Sequence, residues 1–245
     1  MKNVRNGKIG TYEDAAHLLH EAGILCSLAT LLLGYILSGS YVQLSAYNWW
    51  YTIILPVLVS MLSASMIVRE RNTGMQNILC LPVSSSKIWL GKIMALILLV
   101  FGANLLLWLA TTAAGFAASM EVSPLNGLIG CILLALTFVW QIPLVMLLTS
   151  LMGYFPALIL SVGANLLLST IGAEKSWFFL DPYAIPARVV CPFFGMHPNG
   201  LPLENGSSLL DGAAAVPGVL IGLTLLVLMT WVGSRLFGKG ARKYD

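Results

Sequence analysis

An all-α membrane protein with six spans, forming a single transmembrane domain over residues 1–245, is the architecture that three observations predict. The 245 residues are 58% apolar and only 9% charged, with a mean hydropathy of +0.86, whereas soluble domains carry about a quarter charged residues. Charge is absent from four long runs, Ala22 to Val68 (47 residues), Ile93 to Met120 (28), Val122 to Ala173 (52) and Gly212 to Ser234 (23). Such gaps mark membrane spans, because a charge at the bilayer centre costs about 2.5 to 3.5 kcal/mol. A hydrocarbon core of about 30 Å takes about 20 helical residues, so the runs hold two, one, two and one spans. Thirdly, the basic residues segregate to one side of those spans.

The spans follow in order from turn chemistry. The first covers about 22–38. A cleaved signal peptide is the rival reading there, since Ile24 to Leu37 suits an apolar core and Leu37-Ser38-Gly39 ends in small residues. Glu13, Asp14 and Glu21 make the leader acidic, which favours an uncleaved span. Gly39 to Asn48 (GSYVQLSAYN) reads as a short aqueous connection from its Gly, Ser, Gln and Asn residues. The second span covers about 49–68, the third 93–118 and the fourth 126–150. Gly153-Tyr154-Phe155-Pro156 makes a tight hairpin into a fifth span at 157–172, and the sixth covers 213–234. Pro56, Pro143 and Pro217 are expected to kink spans two, four and six. Gly218 and Gly222 form a G-x-x-x-G that permits close helix approach.

Orientation follows from the cytoplasmic enrichment of Lys and Arg. Lys2, Arg5, Lys8, Arg69, Arg71, Lys87, Lys92, Arg235, Lys239, Arg242 and Lys243 share one side, and only Lys175 and Arg188 lie opposite. Both termini are therefore expected in the cytoplasm. The net charge of +3 is too slight for a nucleic-acid partner, which needs basic residues clustered on one face. Cys26, Cys80, Cys131 and Cys191 fall in different compartments, so no disulfide is expected.

Two segments outside the spans invite function. Residues 69–92 (RERNTGMQNILCLPVSSSKIWLGK) form the only sizeable polar connector on the basic side. Met75, Ile78 and Leu79 fall at helical spacing, Pro82 ends that helix, and Ser84-Ser85-Ser86 suits the start of the next. These residues equally suit an amphipathic connector at the membrane surface. Residues 173–212 hold five of eleven prolines, which excludes a long regular helix. Trp177, Phe178, Phe179, Phe193 and Phe194 in that segment are a candidate substrate or gate surface; an interfacial aromatic belt explains the same residues. Short helices dipping into the outer leaflet and a polar turn at Pro198-Asn199-Gly200 are expected. Asn104, Gln141 and Asn165 lie within spans, where each must find a partner away from lipid. Ordinary helix-to-helix bonds account for all three.

The connector 69–92 resembles the segment after the second span of type 2 ABC exporter permeases. The likeness rests on Glu70, Gly74, Leu79, Leu81, Pro82, Val83, Ser84, Ile88, Leu90, Gly91 and Lys92. Six spans with both ends inside also match that family. The resemblance implies a chain that binds no cofactor of its own, working with a separate ABC ATPase that holds ATP and Mg, and with a second permease. It implies too that Glu70, Arg71, Gly74, Met75, Gln76, Leu79 and Pro82 form the coupling segment against that ATPase. Asn48-Trp49-Trp50 leading into Leu55-Pro56, and Cys191 to Leu201 (CPFFGMHPNGL), are similar to lantibiotic-immunity permeases of the LanE and LanG type. One departure is that Thr11 to Glu21 is acidic and carries two histidines, where those relatives begin with a basic amphipathic helix. The narrower likeness implies export of a cationic, amphipathic peptide from the lipid of a bacterial plasma membrane. The alternatives are export of another lipophilic substrate, or peptide binding without transport.

Catalytic and metal motifs fail on inspection. Gly233 to Lys239 has Walker A spacing but is followed by Gly240, and it trails a span rather than a strand. Asp14, His17 and Glu21 share a helical face without fixing a tetrahedral ligand set, so no metal is expected. Asn205-Gly206-Ser207 reads as a turn. The spans contain no Asp, Glu or His to serve an intramembrane protease, so an enzyme is not expected.

Overall fold

The computed structural model describes residues 29, 30, 32, 41–72 and 84–241. Among them are five helices or helix pairs long and apolar enough to cross a membrane: Val42–Asn72, Ser85–Ala117, Pro124–Met152, Tyr154–Ala173 and Gly212–Phe237. Val42–Asn72 is designated α1 and Ser85–Ala117 α2. The third span divides into α3 (Pro124–Phe138) and α4 (Gln141–Met152); Tyr154–Ala173 is α5. A shorter helix, α6 (Ala184–Phe194), precedes α7 (Ala215–Ala241). The chain belongs to the all-α class. The expected first span, 22–38, lies largely outside the described residues, as do the acidic stretch Thr11 to Glu21, Cys26 and Cys80.

The start of α1 corrects the expected connection at 39–48. Residues 42 to 49 are helical, and Val42 to Tyr47 are buried. Gln43 and Asn48 read as aqueous because they are polar, yet both spend their side chains on partners inside the protein. Burial with a full set of hydrogen bonds removes the need for water.

Proline chemistry shapes the spans unequally. A π-helical turn occupies Trp50–Ile54, immediately before Pro56. Proline carries no N–H for the carbonyl four residues back and clashes with it, and a π-turn is one way a helix absorbs that fault. The Thr52 hydroxyl donates to the Asn48 carbonyl at 2.6 Å within the same stretch. Pro143 acts alike: its i−4 residue is Val139, and the helix is interrupted at Val139 and Trp140 between α3 and α4. Pro217 produces no kink within its span. It sits in the first turn of α7, where a missing N–H costs nothing.

The core runs along α1, α2, α3, α4 and α6 and contains Trp50, Tyr51, Trp89, Leu107, Phe138 and Phe194. α3 starts on Pro124 with the Ser123 hydroxyl accepting from the Asn126 N–H at 3.3 Å. The G-x-x-x-G of α7 does permit close approach. A methyl group at Gly218 would meet Val189 and Ile185 of α6, and one at Gly222 would lie 3.1 Å from the Leu136 carbonyl of α3. Residues 233 to 239, with their Walker-like spacing, lie within α7, so no phosphate-binding loop exists there.

Candidate functional site

At the basic end, α1 ends in Arg69 and Arg71, and the connector returns at Ser84 into α2. Lys92 Nζ donates to Glu70 Oε1 at 2.5 Å, with both side chains largely buried. The first and last residues of the pattern that begins at Glu70 and ends at Lys92 are therefore joined across the connector they enclose. Arg71 also lies among the described residues, while Gly74, Met75, Gln76, Leu79 and Pro82 lie outside them. Next to the pair, Trp89 is 1% exposed and packs on Phe237 with ring centroids 5.2 Å apart. Any side chain at Gly233 would collide with the Trp89 indole. The connector thus leaves a base in which α1, α2 and α7 are locked together.

At the opposite end, the segment after α5 folds as short turns and α6. Gly195 stops α6 in the left-handed conformation (φ 66°), its N–H donating to the Cys191 carbonyl at 2.9 Å. That is the usual glycine stop of a helix. The chain then doubles back, with the His197 N–H donating to the Leu201 carbonyl at 2.8 Å and the Leu203 N–H to the Gly195 carbonyl at 2.9 Å. Asn48 Nδ2 donates to the Tyr51 hydroxyl at 2.8 Å and to the Pro198 carbonyl at 3.0 Å. The Tyr51 hydroxyl donates to the same carbonyl at 2.7 Å. Gly200, at φ 88°, approaches Asn48 so closely that a methyl group there would stand 2.8 Å from Asn48 Cγ. The two stretches named for their lantibiotic-permease likeness, Asn48 to Pro56 and Cys191 to Leu201, therefore meet at this node.

The five aromatic candidates separate. Phe194 is 2% exposed and stacks on Tyr47, centroids 4.0 Å apart and planes 11° from parallel; Gly130 of α3 leaves the space its ring fills. Phe178 is buried, touches Phe179 at 3.8 Å between centroids, and lies beneath the Arg188 guanidinium at 5.5 Å. Arg188 also donates to the Leu209 and Ser208 carbonyls, each at 3.2 Å. Trp177 and Phe179 are exposed and Phe193 is half-buried. Phe194 and Phe178 hold the outer segment together, while Trp177 and Phe179 keep surface that a lipid or a ligand can touch. Cys191, in α6, is buried; burial pushes its thiol up to about 12, opposed by nearby Arg188.

Gln43 is the residue that sequence reasoning missed. Its Oε1 accepts from the backbone N–H groups of Glu121 (2.7 Å) and Val122 (3.0 Å), and its Nε2 donates to the Thr111 carbonyl at 2.9 Å. The available signal was an amide inside an uncharged run, obscured by neighbouring turn formers. Glu121 completes the contact by accepting from the Leu44 N–H at 3.3 Å.

The amides in the spans also have partners. Trp50 Nε1 donates to Asn104 Oδ1 at 3.2 Å. Gln141 and Asn165 exchange two hydrogen bonds, at 3.1 and 2.8 Å, between α4 and α5. Among the described residues no group of His, Cys, Asp and Glu is placed to hold a metal ion. The described residues form a braced helical body, with the two ends of a polar connector joined on one side and a tied segment of short helices and turns on the other.

A family model described as ABC-2 family transporter protein matches residues 18–172. The match runs through α1 to α5, including the connector and its Glu70–Lys92 closure. No curated protein matches the chain, and no solved structure does.

Proposed function

Because the chain belongs to the ABC-2 family of transporter proteins, we propose that it is the permease of an exporter that removes a lantibiotic-like cationic peptide from the membrane, conferring immunity or resistance. A permease of this family is the non-catalytic transmembrane component of an ABC transporter, and ATP hydrolysis lies on a separate subunit. In the proposed assembly two permeases, alike or different, stand in a bacterial plasma membrane with their termini in the cytoplasm. Two ATPase subunits bind ATP and Mg below them. Residues from Glu70 to Pro82 take the push of ATPase closure. ATP binding moves the permease only if it favours one of its two states over the other, so the connector must be firmly attached to the helices it drives. The observation that carries the reading is the buried Glu70–Lys92 pair, which ties α1 to α2 at the base of that connector.

The peptide substrate is supported by the likeness of Asn48 to Pro56 and of Cys191 to Leu201, and by the hydrogen bonds between those stretches. Their node lies at the end of the spans where a peptide would be released. Trp177 and Phe179 supply exposed aromatic surface in the segment that leads to α6.

Cross-linking from Met75 or Gln76 to a co-expressed ATPase is expected to succeed. Its failure in an assembled complex would refute the docking role. Expression with the ATPase and the second permease is expected to lower cellular sensitivity to at least one lantibiotic, and to do so only with a hydrolysis-competent ATPase. Absence of protection across a panel, with the cross-link intact, would leave an ABC-2 permease for another lipophilic substrate.

A further inference from the structure

Four Asn-Gly pairs occur in the sequence, beginning at Asn6, Asn126, Asn199 and Asn205, and the last three lie among the described residues. In such a pair the backbone nitrogen of the glycine can attack the side-chain amide carbon of the asparagine. Glycine brings no Cβ to hinder the approach and leaves its backbone free to turn. The three described pairs share this chemistry, and the fold treats them differently.

Asn126 lies in the first turn of α3, where the Gly127 N–H donates to the Ser123 carbonyl at 2.9 Å. A methyl group at Gly127 would stand 2.8 Å from the Tyr47 hydroxyl, so that backbone is packed as well as hydrogen-bonded. Asn199 is held twice. The Gly200 N–H donates to the His197 carbonyl at 2.9 Å, and Asn199 Oδ1 accepts from the Leu201 N–H at 3.1 Å. Gly200 also presses on Asn48. Asn205 has none of these restraints. It and Gly206 are exposed, at the centre of a turn that the Ser207 N–H closes on the Glu204 carbonyl at 3.2 Å. Gly206 stands at φ 91°, and a Cβ there would meet nothing within 4 Å. Among the described residues neither the Gly206 N–H nor the Asn205 side chain has a hydrogen-bond partner.

We propose that Asn205 is a self-modification site, which the folded protein converts to aspartate or isoaspartate while sparing Asn126 and Asn199. The Gly206 nitrogen gives its proton to solvent base and forms a bond to Asn205 Cγ. The Cγ–Nδ2 bond breaks, and ammonia leaves with a proton taken from water. The resulting succinimide adds one water. Cleavage at Cγ yields aspartate, and cleavage at the main-chain carbonyl yields isoaspartate, whose backbone runs through Cβ. One water enters, one ammonia departs and nothing is oxidised. Either product places a new carboxylate next to Glu204. Isoaspartate also adds one carbon to the main chain between Leu203, whose N–H the Gly195 carbonyl holds, and Ser208, whose carbonyl Arg188 holds. The site does not depend on the identity of the exported substrate.

Peptide mapping by mass spectrometry, on the full chain incubated at mildly alkaline pH in mild detergent, tests the site. Asn205 should convert at least about tenfold faster than Asn126 or Asn199, a difference of about 1.4 kcal/mol in barrier. In the chain unfolded by denaturant the three rates should converge, since the reacting pair is the same in each. Gly206→Ala should slow conversion at Asn205 and leave Asn199 unchanged. Conversion of Asn126 or Asn199 as fast as Asn205 in the folded chain overturns the proposal. So does an Asn205 that stays intact when folded but converts when unfolded, or one whose rate Gly206→Ala does not alter.

Discussion

Gln43 and Glu121 show what one side chain can accomplish where a helix meets a loop. Gln43 satisfies two backbone N–H groups and one carbonyl that would otherwise be buried without partners, and an unpaired buried group costs about 1 to 3 kcal/mol. Glu121 stands beside it, and burial raises its carboxyl above the ordinary value, with the Leu44 N–H acting in the opposite direction. A carboxyl whose folded value is raised contributes stability that is complete below its unfolded value. That contribution is lost as pH rises through the folded value. The neutral isostere Glu121→Gln keeps an acceptor for Leu44 and removes the ionisation. Its thermal midpoint in detergent, compared with wild type, should rise in relative terms between about pH 4 and pH 7. A constant difference across that range would show that Glu121 is not strained by burial. Neither residue was legible in the sequence. Gln43 sits among turn formers, and Glu121 sits in a loop, where a carboxylate is expected to face water.

At the scale of elements, the polar contacts between helices are the part of the packing that lipid cannot imitate. Gln141 and Asn165 join α4 to α5 by two reciprocal bonds, and the Ser60 hydroxyl donates to that of Ser161 at 2.9 Å between α1 and α5. In a double-mutant cycle, Gln141→Leu and Asn165→Leu should couple by about 0.6 kcal/mol, and by no more than about 1.7 kcal/mol, the range found for interhelical polar pairs. Additive effects in unfolding would mean that the two amides do not meet. The existence of such partners was readable from amides in uncharged runs, but their identity was not, because pairing across 24 residues depends on how two helices face each other. Proline was half legible. Pro56 and Pro143 disturb their helices as expected, while Pro217 does not, since its effect depends on whether a turn precedes it.

Across the whole molecule, the proposed coupling role requires that force applied to the connector reach the opposite end through packed helices. The Glu70–Lys92 pair closes the connector, Trp89 wedges against Gly233 and Phe237, and at the far end Asn48 and Tyr51 hold Pro198. Glu70→Lys or Lys92→Glu alone should reduce transport-linked protection at least about tenfold while the partner ATPase keeps its basal hydrolysis. Removing one member of a largely buried pair costs about 3 to 5 kcal/mol. The exchanged double variant should recover much of the protection. If it behaves like the worse single variant, the pair does not act as a brace. Composition and charge spacing alone determined the all-α, membrane-spanning class of the molecule, because that class depends only on the cost of placing charge or unpaired backbone in lipid. The tertiary structure decided that residues 42–47 are buried helix, that Glu70 reaches Lys92, and that Asn48 meets Pro198 across 150 positions. Those facts depend on which faces come together, and local propensity carries no information about a partner so distant in the chain.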